Sequence, residues 1–196
     1  MFFMASGFFA ILSRLKYINR WALMRNTQTE NLSEHTLDTA FIAHALVVID
    51  NKRFGGNLNP EHAAVLAMYH DVTEIMTGDM PTPVKYFNAD LKKAYKVAEK
   101  SAGEKLISYL PDDMQGEIGC YINPCEKDAD YAPFIKAADR LSAIAKCIEE
   151  RNTGNREFLS AEKAQIAALK AMNLAAANVF LEEFMPAYAL TLDEQG

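Results

Sequence analysis

Cysteine is scarce in this chain. Cys120, Cys125 and Cys147 are the three in 196 residues, too few and too scattered for a disulfide framework or a paired metal knuckle. Reduced thiols in a cytoplasmic protein are the expectation. Nine glycines and seven prolines are also few. No linker rich in Gly, Ser or Pro divides the chain, so residues 1–196 are expected to form a single domain. Positive charge is in deficit, with 20 Lys and Arg against 26 Asp and Glu for a net charge of −6. A protein that grips a nucleic-acid backbone would carry the opposite balance. Nucleic acid is therefore not an expected partner, whereas a small anion in a local basic pocket is allowed. No apolar run reaches the ~20 residues needed to cross a bilayer, and no membrane partner is expected. The apolar start, Met1 to Leu12, has no basic segment before it and no small-residue cleavage site after it. It reads as an amphipathic helix that docks on the body.

What the chain does have is apolar bulk and helical rhythm. Half its residues are apolar and 23% are charged, enough for one full hydrophobic core. Leu37, Ala40, Phe41, His44 and Val48 form a stripe at helical spacing, with Ser33 as the expected N-cap after Asn31. Asn59-Pro60 reads as the cap and first turn of a helix running through Val65, Leu66, Met68 and Tyr69 towards Ile75. Gly78 and the Pro81-Thr82-Pro83 cluster stop it. Leu91 to Leu110 reads as a long, mostly solvated helix. Pro111, Gly116, Gly119 and Pro124 mark shorter pieces. Pro133 begins a strong helix with Phe134, Ala138, Leu141, Ala145 and Ile148 on its core face, ending near Gly154-Asn155. Glu157 to Phe184 forms the last long helix. Nothing alternates with a period of two, and an all-α domain is predicted.

Signatures of several chemistries are missing. There is no G-x-x-x-x-G-K-[ST] phosphate loop, no G-x-G-x-x-G and no G-x-S-x-G. What remains is four histidines: His35, His44, His62 and His70. His70-Asp71 follows an apolar helical run and delivers two metal-ligand types to the edge of the core. His35 begins the preceding helix. Asp139 shares an edge of a core-lining helix with Ile135 and Ser142, an odd place for a charge without a partner. Two imidazoles and two carboxylates make a mixed nitrogen–oxygen set suited to a divalent transition metal. His44 follows His35 by two and a half turns and points about 180° away from it. His62, two turns before His70, is expected to be exposed. A single metal ion is favoured, since a pair would need more histidines.

The order His…His-Asp…Asp is set among further motifs. These are Ser13-Arg14-Leu15-Lys16, Ile18-Asn19-Arg20-Trp21, Thr29-Glu30-Asn31, Ser33-Glu34-His35 and Phe54-Gly55-Gly56-Asn57. Later come Met68-Tyr69-His70-Asp71 and the run from Thr77 to Asn88, Thr-Gly-Asp-Met-Pro-Thr-Pro-Val-Lys-Tyr-Phe-Asn. On these residues the chain resembles the HD-domain metal-dependent phosphohydrolases, and within them the bacterial YfbR-type 5′-deoxynucleotidases. The resemblance covers nearly the whole chain and is thin from about Leu91 to Asp130. It implies a helical HD domain with metal ligands at His35, His70, Asp71 and Asp139. It implies a catalytic carboxylate at Glu74, four residues from His70 and so on the same face of the expected helix. Arg20 would orient the phosphate. Trp21, His35, Asp79, Met80, Pro81 and Thr82 would contact the substrate. It further implies one divalent ion such as cobalt or manganese, a nucleoside monophosphate substrate and a homodimer.

The residues suit that chemistry. Phosphomonoester hydrolysis needs an activated water and neutralisation of the phosphoryl oxygens. Residues 1 to 29 hold Arg14, Lys16, Arg20 and Arg25 and no acid, a local basic patch. An arginine fork matches a phosphate dianion, and the Trp21 ring beside it could wall off a ribose 2′-hydroxyl. The expected activity is hydrolysis of 2′-deoxyribonucleoside 5′-monophosphates to deoxynucleoside and phosphate. The alternatives are another nucleotide phosphoester as substrate, or a nucleotide-sensing HD module without turnover, against which the complete ligand set argues.

Overall fold

A computed structural model describes residues 5–85 and 87–196, with the side chain of Thr82 also outside the description. The chain is helical throughout, as the periodicity predicts. Among the described residues no strand forms, and extended pairing is limited to one antiparallel bridge between Asn19 and Asn31. Helix α1 is short, Phe8–Leu12, and passes into a 3-10 turn over Ser13–Tyr17. Phe8 and Leu15 are buried, so this segment does dock on the body. The part of the expected N-terminal helix at Met1–Met4 lies outside the described residues.

The long helix α2, Leu32–Arg53, is capped by Asn31 rather than Ser33. Asn31 Oδ1 accepts from the Ser33 and Glu34 main-chain N–H groups, and Glu34 returns a bond to the Asn31 N–H, a reciprocal box. Its buried face is Leu32, His35, Thr39, Ala40, Ile42, Ala43, Leu46, Val47 and Ile49. The predicted stripe is thus displaced: Leu37, Phe41 and His44 are exposed, and Ala40 alone of the five is buried. Alanines and β-branched residues pack this helix tightly where larger residues were expected.

Helix α3, Pro60–Tyr69, has the expected Asn59 cap and N1 proline. It does not continue to Ile75. Both the main-chain N–H and the ring Nδ1 of His70 turn to the Ala67 carbonyl, at 3.4 and 2.7 Å. Tight turns follow, from Val72 N–H to Tyr69 O and from Glu74 N–H to Asp71 O. Helix α4, Glu74–Thr77, then starts afresh and ends at Gly78, whose φ of +74° suits glycine. The short α5, Thr82–Lys85, follows.

Helices α6, Ala89–Ile107, and α7, Asp112–Ile122, form a hairpin. Gly116 and Gly119 lie inside α7 rather than at turns. A Cβ on Gly119 would stand 3.2 Å from Ile107 Cδ1, so the glycine allows this close approach. Helix α8, Ala132–Asn152, buries all five predicted core residues. The expected last helix is two, α9 (Leu159–Lys170) and α10 (Ala175–Glu183). They are separated at Asn173, which takes a left-handed φ of +53°.

The apolar residues gather in two clusters. One joins α2, α3, α8 and α10 through Leu46, Ala67, Leu141 and Phe180. The other joins the N-terminal turns to the α6–α7 hairpin through Phe8, Leu15, Leu32, Val72 and Leu106. His35 follows Leu32 of the second cluster, and His70-Asp71 falls between Ala67 of the first and Val72 of the second. The polar residues therefore emerge at the seam between two cores.

Candidate metal centre and phosphate site

The Asn31 cap fixes the first turn of α2 and so the direction of His35, which is fully buried. Its Nδ1 lies 2.9 Å from Ser142 Oγ on α8, and Thr39 Oγ1 lies 3.4 to 3.5 Å from the ring nitrogens. Its Nε2 looks towards Asp139 Oδ1 at 3.5 Å and Asp71 Oδ2 at 3.7 Å. At the end of α3 the tautomer of His70 follows from its partner. A carbonyl only accepts, so Nδ1 carries the hydrogen donated to Ala67 O, and Nε2 is the nitrogen that can give up its proton and turn a lone pair to a cation. That Nε2 is buried with no hydrogen-bond partner, 3.0 Å from Asp71 Oδ2. Ligand atoms of His35, His70 and Asp71 lie within 4.8 Å of one another.

This is a donor set that fits a divalent cation. Two imidazoles have their outer nitrogens hydrogen-bonded and their inner nitrogens close to Asp71, with Asp139 alongside His35 but outside the group of three. Charge follows from the crowding. Burial, reinforced by the Arg20 guanidinium, holds His35 down at about 4. Burial opposes charge on His70 too, but the Asp71 and Asp139 carboxylates overcome it and raise His70 to about 9. Asp139 stays well below the usual carboxylate range despite burial, through His35 and the positive charges of His70 and Lys136.

A second group of predicted residues gathers beside the first. Glu74 is buried at the head of α4, with Oε2 unpartnered. Burial, then the charges of Asp71 and Asp79, push it up to about 9, while Lys85 and Arg20 pull the other way. Glu74 is thus not on one helix with His70, as the four-residue spacing implied; the turn at His70–Thr73 brings it in. Arg20 is mostly buried, and its NH1 atom has no hydrogen-bond partner, the nearest carboxylate being Glu30 Oε2 at 3.6 Å. Trp21 takes a φ of +60°, uncommon for a bulky residue. Its main-chain N–H donates to the Asp79 carboxylate, which joins the Asp79 loop to the Arg20–Trp21 segment. Met80 and Pro81 are half-buried. Thr82 opens α5, and its side chain lies outside the described structure.

Sequence reasoning missed Ser142 and Thr39, which hold His35, and Glu30, which faces both Arg20 and Trp21. It also placed His62 in solvent. His62 is instead half-buried, with Nε2 2.8 Å from Asp128 Oδ1 and its ring between Tyr121 and Tyr131. A cleft of about 270 Å3 opens onto His70, Asp71 and Asp139 between α3, α7 and α8. Tyr121, Ile135 and Lys136 help to wall it, whereas Arg20, Trp21 and Asp79 do not line it. A larger depression, about 690 Å3, lies over Arg25 and Glu157 and holds none of the donor residues above.

An all-helical body with His35, His70 and Asp71 clustered at its seam, and Asp139 beside His35, is the arrangement of an HD-domain protein. Solved structures agree on the fold. An HD-domain phosphohydrolase from Listeria innocua superposes with a TM-score of 0.76 at 24% identity, covering 92% of this chain and 87% of that one. A cyanophage S-2L HD phosphohydrolase, solved bound to dA and one catalytic Zn2+ ion, gives 0.66 at 17% identity over 93% and 96% of the two chains. In sequence, a family model described as 5′-deoxynucleotidase YfbR-like matches residues 7–188. The chain is 49% identical over 189 residues to the 5′-deoxynucleotidase of Cronobacter sakazakii and to the 5′-deoxynucleotidase YfbR of Escherichia coli, covering 96% of this chain and 95% of each relative. The chain belongs to the YfbR-like 5′-deoxynucleotidase family.

Proposed function

We propose that residues 1–196 act as one HD domain that hydrolyses 2′-deoxyribonucleoside 5′-monophosphates to deoxynucleoside and phosphate. The observation that carries this reading is that three buried, unpartnered polar atoms, His70 Nε2, Glu74 Oε2 and Arg20 NH1, belong to residues that act on the charge of one cluster of ligand-type donors or are part of it. Buried polar atoms are nearly always matched, so a group of orphans points to a missing partner. His35, His70, Asp71 and Asp139 would hold one divalent transition metal ion. When bound, such an ion polarises a phosphoryl oxygen and lowers the pKa of water. Arg20 NH1 donates to the phosphate and fixes its orientation. Glu74, protonated at neutral pH by its surroundings, holds a proton at Oε2 that can be exchanged with the attacking water and the departing O5′. The Asp79 carboxylate and the Trp21 ring stand beside Arg20, where the sugar of the same nucleotide would lie, with Met80, Pro81 and Thr82 completing that side.

Three free cysteines, one of them buried, suit the cytoplasm. Among the described residues no helix is long and apolar enough to cross a membrane. The exposed Leu37 and Phe41, one turn apart on α2, offer apolar surface to a second copy. Sedimentation should show a dimer, and Phe41→Glu a monomer.

The direct test is phosphate release from a panel of nucleotides after EDTA treatment and re-metallation. Activity on dAMP should vanish with chelator and return with a transition metal. Asp139→Asn should keep the fold and bind metal more weakly. Wild-type metal content in that variant would remove Asp139 from the ligand set, and turnover of another phosphoester in place of dAMP would correct the substrate.

A further inference from the structure

Arg20 and Trp21 are adjacent in sequence, so their side chains leave an extended chain in opposite directions. Here both are brought to one carboxylate. Glu30 Oε2 accepts the Trp21 Nε1–H at 2.9 Å and lies 3.6 Å from Arg20 NH1. The main chain repeats the pairing, with the Arg20 N–H donating to Glu30 O at 2.9 Å beside the Asn19–Asn31 bridge. The guanidinium lies over the indole, 5.9 Å from its centre. The indole also meets Phe158, at 5.2 Å between ring centres with the rings tilted by 59°. The left-handed φ of Trp21 is the backbone cost of this arrangement. Glu30 itself is buried, and the positive charge of Lys146 lies behind it.

From this juxtaposition we propose that Glu30 is a positioning residue for the phosphate and sugar side of the site. One oxygen sets two side chains, the guanidinium for the phosphate and the indole for the sugar. The 3.6 Å separation matters. It balances the Arg20 charge without consuming its NH1 hydrogen, which remains free for a phosphoryl oxygen. A closer carboxylate would compete with the substrate, and none would leave the guanidinium free to swing away. The indole is held by a hydrogen bond at its nitrogen and by its contact with the Phe158 ring, so the wall it presents cannot retreat from a 2′-hydroxyl.

This inference rests on the deoxynucleotidase reading for its kinetic half and on geometry alone for its indole half. Trp21 is the single tryptophan of the chain, so intrinsic fluorescence of the metal-free protein reports its position directly. Two variants separate the two arms. Glu30→Gln keeps an oxygen acceptor for the indole and removes the charge facing Arg20. Its emission, acrylamide quenching and ratio of dAMP to AMP kcat/KM should stay near wild type, while kcat falls by about tenfold to a hundredfold and KM changes less. Glu30→Ala removes both. Its indole should become more accessible to quencher, and the dAMP-to-AMP ratio should drop by about tenfold. Trp21→Phe, which keeps a ring without the N–H donor, should lower the ratio in the same direction. Combining it with Glu30→Ala should add little further loss.

Native quenching and an unchanged substrate ratio in Glu30→Ala, with only the melting temperature lowered, would overturn the proposal by making Glu30 a structural carboxylate. If that variant does not fold, unchanged kcat and KM in Glu30→Gln would overturn it equally. A wild type inactive on dAMP would instead sink the functional reading, and the quenching comparison would still decide whether Glu30 holds the indole.

Discussion

Helix α8 carries two buried polar groups on one stripe. Asp139 and Ser142 lie towards its start, Lys146 and Glu150 towards its end, and the spacing keeps all four on one side of the helix. The two ends treat their charges differently. The fully buried Glu150 accepts from Lys146 Nζ at 2.5 Å, Thr27 N–H at 2.9 Å, Thr27 Oγ1 at 2.7 Å and Asn155 Nδ2 at 2.7 Å. Lys146 also donates to Gln28 O at 2.6 Å. Asp139 accepts from Lys136 Nζ at 3.2 Å and faces His35 Nε2 at 3.5 Å, but His70 Nε2 and, further along the seam, Glu74 Oε2 and Arg20 NH1 are buried without hydrogen-bond partners. Desolvation costs both groups dearly. One end recovers the cost within the chain and thereby pins the Arg25–Gln28 segment. The other leaves three polar atoms beside it, His70 Nε2, Glu74 Oε2 and Arg20 NH1, for something that binds.

Glu74→Gln tests that difference most severely. The amide cannot take up or return a proton, so kcat/KM should fall by about 10²–10⁴-fold. Stability should move the other way. A carboxyl raised from 4.5 to about 9 holds a proton in the folded state that the unfolded chain releases. It therefore weakens folding increasingly as pH rises above 4.5. Replacing it should stabilise the metal-free protein by about 1 kcal/mol or more at neutral pH. A lower melting temperature in Glu74→Gln would show that the open end is as structural as the closed one.

At the closed end the same logic reverses. Glu150→Ala leaves the Lys146 charge buried and unpaired and should cost about 3–5 kcal/mol in urea unfolding, whereas Lys146→Met with Glu150→Leu should cost much less. Acid gives a second handle. Lys146, Thr27 and Asn155 outweigh burial and hold the Glu150 carboxyl below its ordinary 4.5. Its contribution is complete above about pH 4.5 and is lost as pH falls through the lowered folded value. Glu150→Gln should accordingly flatten the loss of melting temperature below pH 4.5. A parallel loss in both proteins would mean that Glu150 contributes nothing to acid stability.

The sequence exposed these two ends unequally. Helical class, the Asn59-Pro60 start and the core face of α8 follow from local chemistry, namely periodicity, capping and the rigidity of proline, and the structure keeps them. His35, His70, Asp71 and Asp139 stood out because ionisable residues on apolar helices need partners. The break at His70 was hidden, because it depends on the His70 ring bonding back to Ala67 O, and nothing in an apolar run announces that. Phe41 and Leu37 mimicked a core face because hydrophobicity alone does not say which stripe a neighbouring helix covers; on α2 it is the stripe through Leu32, Ala43 and Leu46 that is buried. Glu30, Lys146 and Glu150 were invisible for a related reason. Lys146 and Glu150 read as ordinary charges until the chain brings residues more than a hundred positions apart together, and Glu30 does so until the turn at Trp21 folds back on it.

Ser142 offers the finest division between the two ends, since it lies on the shared stripe yet serves the open one. Its Oγ is 2.9 Å from His35 Nδ1, and that contact fixes which way Nε2 points. Thr39, at 3.4 to 3.5 Å, is too distant and too evenly placed between the ring nitrogens to do so alone. Ser142→Ala removes one buried hydrogen bond and should cost about 1 kcal/mol of stability, less than Glu150→Ala. Metal affinity should fall further than stability, by about 10–100-fold, because an imidazole that can rotate is a poorer ligand. Metal titration of the purified variant reads the affinity, and thermal melting of the metal-free protein reads the stability. Wild-type affinity with lowered stability would assign Ser142 to the packing of α8 and leave His35 oriented by its cap and by burial alone.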